Sequence, residues 1–148
     1  MEIREAVVGD VDEIWNIGKG VEEFDTTDEV VTFWPKYVLR DCVKSESDFV
    51  VVAEEGKIVG FVIANYNATF RKAVIENVFV DAEFRGSGVG KKLVDSVTEK
   101  LVGIGCEYIC LLTESDNKDS IEFYKKIGFN RGIDCVWMDK VIGSGFSK

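Results

Sequence analysis

A chain of 148 residues that is 46% hydrophobic and 30% charged has the size and balance of one folded domain. This excludes a disordered or membrane-spanning protein. A net charge of −9 disfavours duplex nucleic acid, whose binding needs a basic face, and suits either a cationic ligand or simple solubility. The chain has no histidine. Ser-His and Cys-His nucleophile mechanisms are therefore excluded, and proton transfer falls to Glu, Asp, Tyr, Lys or Cys.

The predicted elements run as follows. Glu2 to Val8 alternates as a first strand. Asp10-Val11-Asp12-Glu13 has the form of a capping box, opening a short helix with Val11, Ile14, Trp15 and Gly18 on one face. Glu22, Glu23, Asp25, Asp28 and Glu29 form an acidic loop. Val30 to Cys42 is a second helical region, in which Pro35 demands a kink or two short helices. Phe49 to Glu54, the turn Glu55-Gly56 and Lys57 to Asn65 read as a hairpin. Gly60 marks a bulge or a close backbone approach. Asn65 to Thr69 is a polar loop, and Lys72 to Asp81 is a third strand of the meander. An amphipathic helix starts near Val89 and ends at Gly103 and Gly105. Tyr108 to Leu112 reads as a strand buried on both faces. A last helix is capped by Asp116 or Asn117, carries Ile121, Tyr124 and Ile127 on one face, and ends at Gly128. Phe129 to Val141 is expected to form a closing strand.

The predicted order is β-α-α-β-β-β-α-β-α-β. The expected fold class is α+β, a mixed and mostly antiparallel sheet with helices on both faces. Residues 1–142 form the expected single domain, and residues 143–148 a flexible tail. The four cysteines, Cys42, Cys106, Cys110 and Cys135, contain no C-x-x-C pair. They read as buried reduced thiols, and no metal site is expected. Apolar runs are too short for a bilayer and the N-terminus lacks a signal-peptide shape, so the expected location is the cytoplasm.

The chemistry centres on Arg85-Gly86-Ser87-Gly88-Val89-Gly90, between the strand Val74–Val80 and a helix. Three glycines in five residues let a ligand approach the backbone. The helix start adds unpaired N–H groups and the positive dipole end, an arrangement that binds phosphate. A Walker A loop aligned on Gly90-Lys91 fails at Arg85 and Lys92. A dinucleotide fingerprint from Gly86 fails at Lys91.

The pattern R-x-x-G-x-G between strand and helix resembles the GNAT superfamily of N-acetyltransferases. The resemblance covers nearly the whole chain and is sharpest over residues 75–94 and 117–129. The first segment has Ala82 where the family often has proline. The resemblance implies acetyl-coenzyme A as acyl donor. Its pyrophosphate would rest on the N–H groups of Gly86, Ser87, Gly88, Val89, Gly90 and Lys91, with Arg85, Lys91 and Lys92 adding positive charge. Its pantetheine arm would run along Val78, Phe79 and Val80, where an N–H would also stabilise the oxyanion. Asn117 matches a residue that contacts the coenzyme and also reads as a plain helix N-cap.

Tyr124 matches the position that protonates the leaving thiolate, which a phenol protonated at neutral pH can do. Glu76 is the candidate base, placed by strand alternation on the face of Val78 and Val80. A carboxylate satisfied by a neighbouring backbone group or arginine is an equal alternative for it. The glutamate that ribosomal-protein N-acetyltransferases carry on the next strand is absent here at Leu112; Glu114 and Tyr108 are weaker candidates. Glu22, Glu23, Asp25, Phe33, Trp34 and Tyr37 are the expected substrate-side residues. The implied activity is direct acetyl transfer to a primary amine in a ternary complex, on a small amine, a polyamine, a protein lysine or an N-terminal amine. The competing class is an inactive coenzyme A-binding sensor or interaction domain. A homodimer is compatible with the resemblance.

Overall fold

The computed structural model describes residues 1–148. Five strands lie in chain order across one sheet: β1 (Glu2–Glu5), β2 (Asp48–Glu54), β3 (Ile58–Asn67), β4 (Lys72–Val80) and β5 (Tyr108–Leu111). β1 to β4 pair antiparallel and β4 pairs β5 in parallel. Local chemistry sets the connections. Gly56 has φ +73, which allows the tight turn between β2 and β3. Asn67 Oδ1 accepts from the N–H groups of Thr69 and Phe70, closing the turn between β3 and β4. The parallel step needs a crossover, supplied by helix α3 (Val89–Gly103). The class is α+β, as the residue pattern predicts.

Two apolar layers sandwich the sheet. On one face, Leu93, Val97 and Leu101 of α3 pack on Val51, Val62, Ala64 and Ile75, with Phe123 and Ile127 from around α4 (Lys118–Lys126) at the margin. On the other, Ile14 of α1 (Val11–Gly18) and Leu39 of α2 (Lys36–Lys44) pack on Val50, Val52, Phe61 and Ile63. Each such side chain contributes about 1.5–3 kcal/mol by leaving water. Gly60 is required by packing: a Cβ there would lie 2.9 Å from Phe79 O and 3.1 Å from Leu93 Cδ1. The bulge expected beside it is Val59, the residue skipped where Ala53 pairs Gly60 and Glu54 pairs Ile58.

Several expectations are corrected. Asp10 and Glu13 do not cap α1. Asp10 accepts from Val7 N–H and binds Arg4, while Glu13 Oε1 accepts from Ile58 N–H at 2.9 Å and ties α1 to the sheet. Val30 to Trp34 is not helical, and the one helix here begins after Pro35, which sits at its N-cap. Asn65 to Asn67 continues β3, because Asn65, Tyr66 and Asn67 still find partners on β4.

The predicted closing strand over Phe129–Val141 is absent; that stretch pairs with nothing. β5 is consequently an edge strand, with Tyr108 and the adjoining Leu112 exposed. Cys135 is exposed rather than buried, and all four cysteines are free. The last six residues return to the body. Val31 N–H donates to Phe146 O at 2.9 Å, Lys148 N–H to Glu29 O at 2.9 Å, and Lys148 Nζ pairs with Asp25 at 3.0 Å.

Candidate active site

The parallel pair β4–β5 stays together only from Lys72 to Ile75, opposite Tyr108 to Leu111. Beyond Ile75 the sheet splits, and the β5-facing edge of Glu76–Val80 has no strand partner. β4 then leads through a 3-10 turn (Ala82–Phe84), closed by Asp81 accepting from Glu83 N–H, into the glycine turn. Gly86 and Gly88 have φ +79 and +87, a region L side chains rarely adopt, and Gly88 is the N-cap of α3. No backbone hydrogen bond uses the N–H groups of Gly86, Ser87, Gly88, Val89, Gly90 or Lys91; that of Lys92 bonds Gly88 O at 3.1 Å. Six donors are thus left free at and just before the positive end of a helix of 15 residues.

The side chains around the turn divide. Arg85 Nε donates to Val80 O at 2.9 Å, which fixes the guanidinium beside the strand end and takes one backbone acceptor there. Lys91 Nζ pairs with Asp95 one helical turn on, so less of its charge is free for a ligand than the sequence suggests. Gly90 serves packing: a Cβ would lie 3.0 Å from the Phe123 ring of α4.

A cleft of about 1720 Å³ opens where the sheet splits. Glu76, Val78, Asn117 and Tyr124 line it together, with Glu23, Asp25, Phe33 and Trp34 on the acidic-loop side. Phe79, Val80 and the glycine turn lie outside it, at the end of β4. Asn117 caps α4, its Oδ1 accepting from Ser120 N–H at 3.2 Å. Tyr124 meets Phe123 and Phe129 edge-on at 5.0 and 5.6 Å, and burial pushes its phenol up to about 12.

Glu76 is not where alternation puts it. Ile63 pairs Asn77 and Ala64 pairs Ile75, so Glu76 is an extra, bulged residue. The bulge reverses parity. Ala73 and Ile75 before it, and Val78 and Val80 after it, all pack on the α3 face. Glu76 points to the opposite face, where Asn65 Nδ2 donates to its Oε1 at 2.7 Å. Burial raises the pKa of this carboxyl above the ordinary range, and the Asn65 bond opposes part of that rise.

On the substrate side, Phe33 is a core residue. It is buried, stacked on Phe24 and tilted against Phe61, at ring distances of 5.5 and 5.7 Å. Glu22 and Tyr37 are exposed and do not line the cleft. Trp34 is half-buried, and its indole N–H donates to Asn77 Oδ1 at 2.6 Å, next to Glu76. Sequence reasoning missed Asn65, Asn77 and Phe146. The two asparagines leave a faint signal, as amides in otherwise apolar strands. Phe146, 6.1 Å from the Trp34 ring, leaves none.

The split strands leave an open backbone edge, the start of α3 leaves N–H groups free, and Glu76 and Tyr124 line the cleft at the split. The chain belongs to the Acetyltransferase (GNAT) family, whose model matches residues 10–129. That family is one of acetyltransferases, and relatives of the chain carry the same name. It is 35% identical over 102 residues to an uncharacterized N-acetyltransferase, MJ1207, of Methanocaldococcus jannaschii, a match spanning 65% of this chain and 45% of the relative. It is 29% identical over 128 residues to the acetyltransferase ECA0875 of Pectobacterium atrosepticum, covering 78% of this chain and 89% of that one. Its fold matches the aminoglycoside N-acetyltransferase AAC(6')-Iy in complex with CoA at a TM-score of 0.72 and 18% identity, over 95% and 100% of the two chains.

Proposed function

We propose that this protein transfers acetyl from acetyl-coenzyme A directly to a primary amine in a ternary complex, with Glu76 as base and Tyr124 as acid. The observation that carries the reading is the split between β4 and β5. It leaves the edge of Glu76–Val80 open, puts six free N–H groups at one end, and holds Glu76 and Tyr124 in the same cleft. The free donors of Gly86–Lys91 suit a pyrophosphate, with Arg85 beside them. The open strand edge suits the amide-bearing pantetheine arm, and an N–H there faces the acyl oxygen as charge builds on it.

Glu76, raised by burial, accepts the proton that an incoming ammonium must lose before its nitrogen can attack the thioester carbon. Tyr124, held protonated, gives its proton to the sulfur as the carbon–sulfur bond breaks. Burial disfavours the phenolate this would leave, so Tyr124 takes up the second proton that the acylated nitrogen sheds as the tetrahedral intermediate collapses, which restores the phenol. Glu23 on the cleft wall favours a cationic acceptor, a small polyamine above all, while Asp25 is already paired with Lys148. The fold match to an enzyme that acetylates aminoglycosides supports that class.

The test is a panel of diamines, polyamines, aminoglycosides and lysine peptides with acetyl-coenzyme A, read by thiol release. Turnover with cationic amines is expected. Coenzyme binding without turnover on any amine would mark an inactive sensor and refute the reading.

A further inference from the structure

Five acidic residues fall between Glu22 and Glu29, and only one of them, Asp25, has a cationic partner. The partner comes from 123 residues away: Lys148 Nζ lies 3.0 Å from Asp25 Oδ1. Thr32 Oγ1 donates to the same oxygen at 2.6 Å, and Oδ2 is left without a partner. Asp25 lines the cleft that holds Glu76 and Tyr124. Lys148 does not. It lines a separate cavity of about 410 Å³, and Val31, Thr32 and Phe33 form the wall between the two. The lysine thus reaches a cleft carboxylate from behind the wall.

The segment that carries Lys148 is seated by other means. Val31 N–H donates to Phe146 O, Lys148 N–H donates to Glu29 O, and Val30 and Ser147 form an antiparallel bridge. Gly145 leaves no room for a Cβ against Tyr37 Oη. None of these contacts needs the Lys148 ammonium. The ion pair itself is the open part, with side chains 43% exposed at Asp25 and 39% at Lys148. A pair this exposed holds weakly and is screened by dissolved ions. In a chain of −9, a cation spent on the cleft wall also works against the pull of that wall on a cationic acceptor.

We propose that Lys148 is an internal competitor of the acceptor: its ammonium holds Asp25, the carboxylate that takes the second ammonium of a diamine whose first lies at Glu76. The inference rests on the reading of this cleft as the acceptor site of an acetyl transfer. Lys148 thereby sets the affinity for dicationic acceptors and leaves that for simple amines untouched. When the diamine arrives, one ion pair replaces another at Asp25. No covalent bond changes, and the Lys148 side chain turns to water while its backbone stays docked.

The test is calorimetry on the full chain saturated with coenzyme A, which carries no acetyl group, so that binding is read without turnover. The probes are 1,4-diaminobutane and spermidine, with butylamine as the control of one charge. Lys148→Gln keeps the backbone bond to Glu29. It should bind both probes about 2- to 5-fold tighter, the range an exposed ion pair carries, and butylamine as before. Lys148→Arg keeps the charge and should match the unaltered protein. In Asp25→Asn the diamines should bind more weakly, and adding Lys148→Gln should change nothing. Unchanged or weaker diamine binding in Lys148→Gln, equal tightening of butylamine, or a Lys148→Gln effect that persists without the Asp25 carboxylate would each overturn the proposal. Turnover of a diamine whose binding ignores Lys148 sinks the competitor and leaves acetyl transfer standing. Diamine binding tightened by Lys148→Gln, with no turnover on any amine, upholds the competitor and sinks acetyl transfer.

Discussion

Replacing Asn65 by alanine removes the amide N–H that lies 2.7 Å from Glu76 Oε1. That bond favours the charged carboxylate and opposes the larger effect of burial, which favours the neutral acid. A hydrogen bond to a charged group is worth about 1.5–3 kcal/mol. At about 1.36 kcal/mol per pKa unit, its loss raises the carboxyl by about 1 to 2 pH units. Glu76 is only half-buried, so water replaces part of the bond and the lower figure applies. If Glu76 must be ionised to accept the ammonium proton, the acidic limb of kcat/KM moves to higher pH by about 1 unit, with little change above it. The assay is thiol release against pH with a turned-over amine, alongside the carboxyl titration followed by carbon-13 NMR of labelled glutamate. A titration that stays put, or moves to lower pH, refutes the assigned hydrogen bond. A titration that moves while the kinetic limb does not refutes Glu76 as the base and leaves the bond standing.

Four further substitutions have expected outcomes. Glu76→Gln should lower turnover at neutral pH by about 100-fold or more. It should also raise thermal stability, because a carboxyl whose pKa is raised on folding stabilises the protein below its unfolded pKa and loses that contribution as pH rises through the folded value. The gain in Tm over the unaltered protein should therefore be present at pH 8 and vanish near pH 4; the reverse trend would refute burial as the dominant cause. Tyr124→Phe keeps the ring contacts with Phe123 and Phe129, so kcat should fall about 100-fold while coenzyme affinity by calorimetry changes less than about twofold; an unchanged kcat removes its proposed role.

Gly18→Ala sets about 1 kcal/mol of helix propensity against a Cβ placed 2.3 Å from the Phe33 ring, which Phe24 and Phe61 hold in place. Overpacking of this kind costs about 1–3 kcal/mol, so urea denaturation should show a net loss; a gain would mean that the ring relaxes freely. Phe146→Ala removes an edge-on partner of Trp34, worth about 0.5–1.5 kcal/mol, and should raise acceptor KM about 2- to 10-fold without altering coenzyme affinity.

Turn and helix chemistry is local, and it was readable. Gly56 sits at the β2–β3 turn because its φ is positive, and Gly86 and Gly88 open α3 for the same reason. The meander, the crossover helix and the Asn117 cap follow from those segments in order. Capping was misread at Asp10 and Glu13, because Arg4 and Ile58 N–H, distant in sequence for Glu13, compete for the same carboxylates. Phe33 and Trp34 are adjacent aromatics that composition treats alike. The packing of Gly18 and Phe61 takes the first into the core, and Asn77 holds the second at the cleft.

The turn Arg85 to Gly90 and the free start of α3 were legible in the sequence, because backbone freedom and a helix start act within a few residues. The direction of Glu76 was decided only by tertiary structure. A strand of period two predicts one face, and the skipped pairing between Ile63–Asn77 and Ala64–Ile75 turns the residue to the other, toward Asn65. Register belongs to the pair of strands, and neither strand carries it alone. The same holds for residues 130–143: their composition predicts a strand, and the structure pairs them with none.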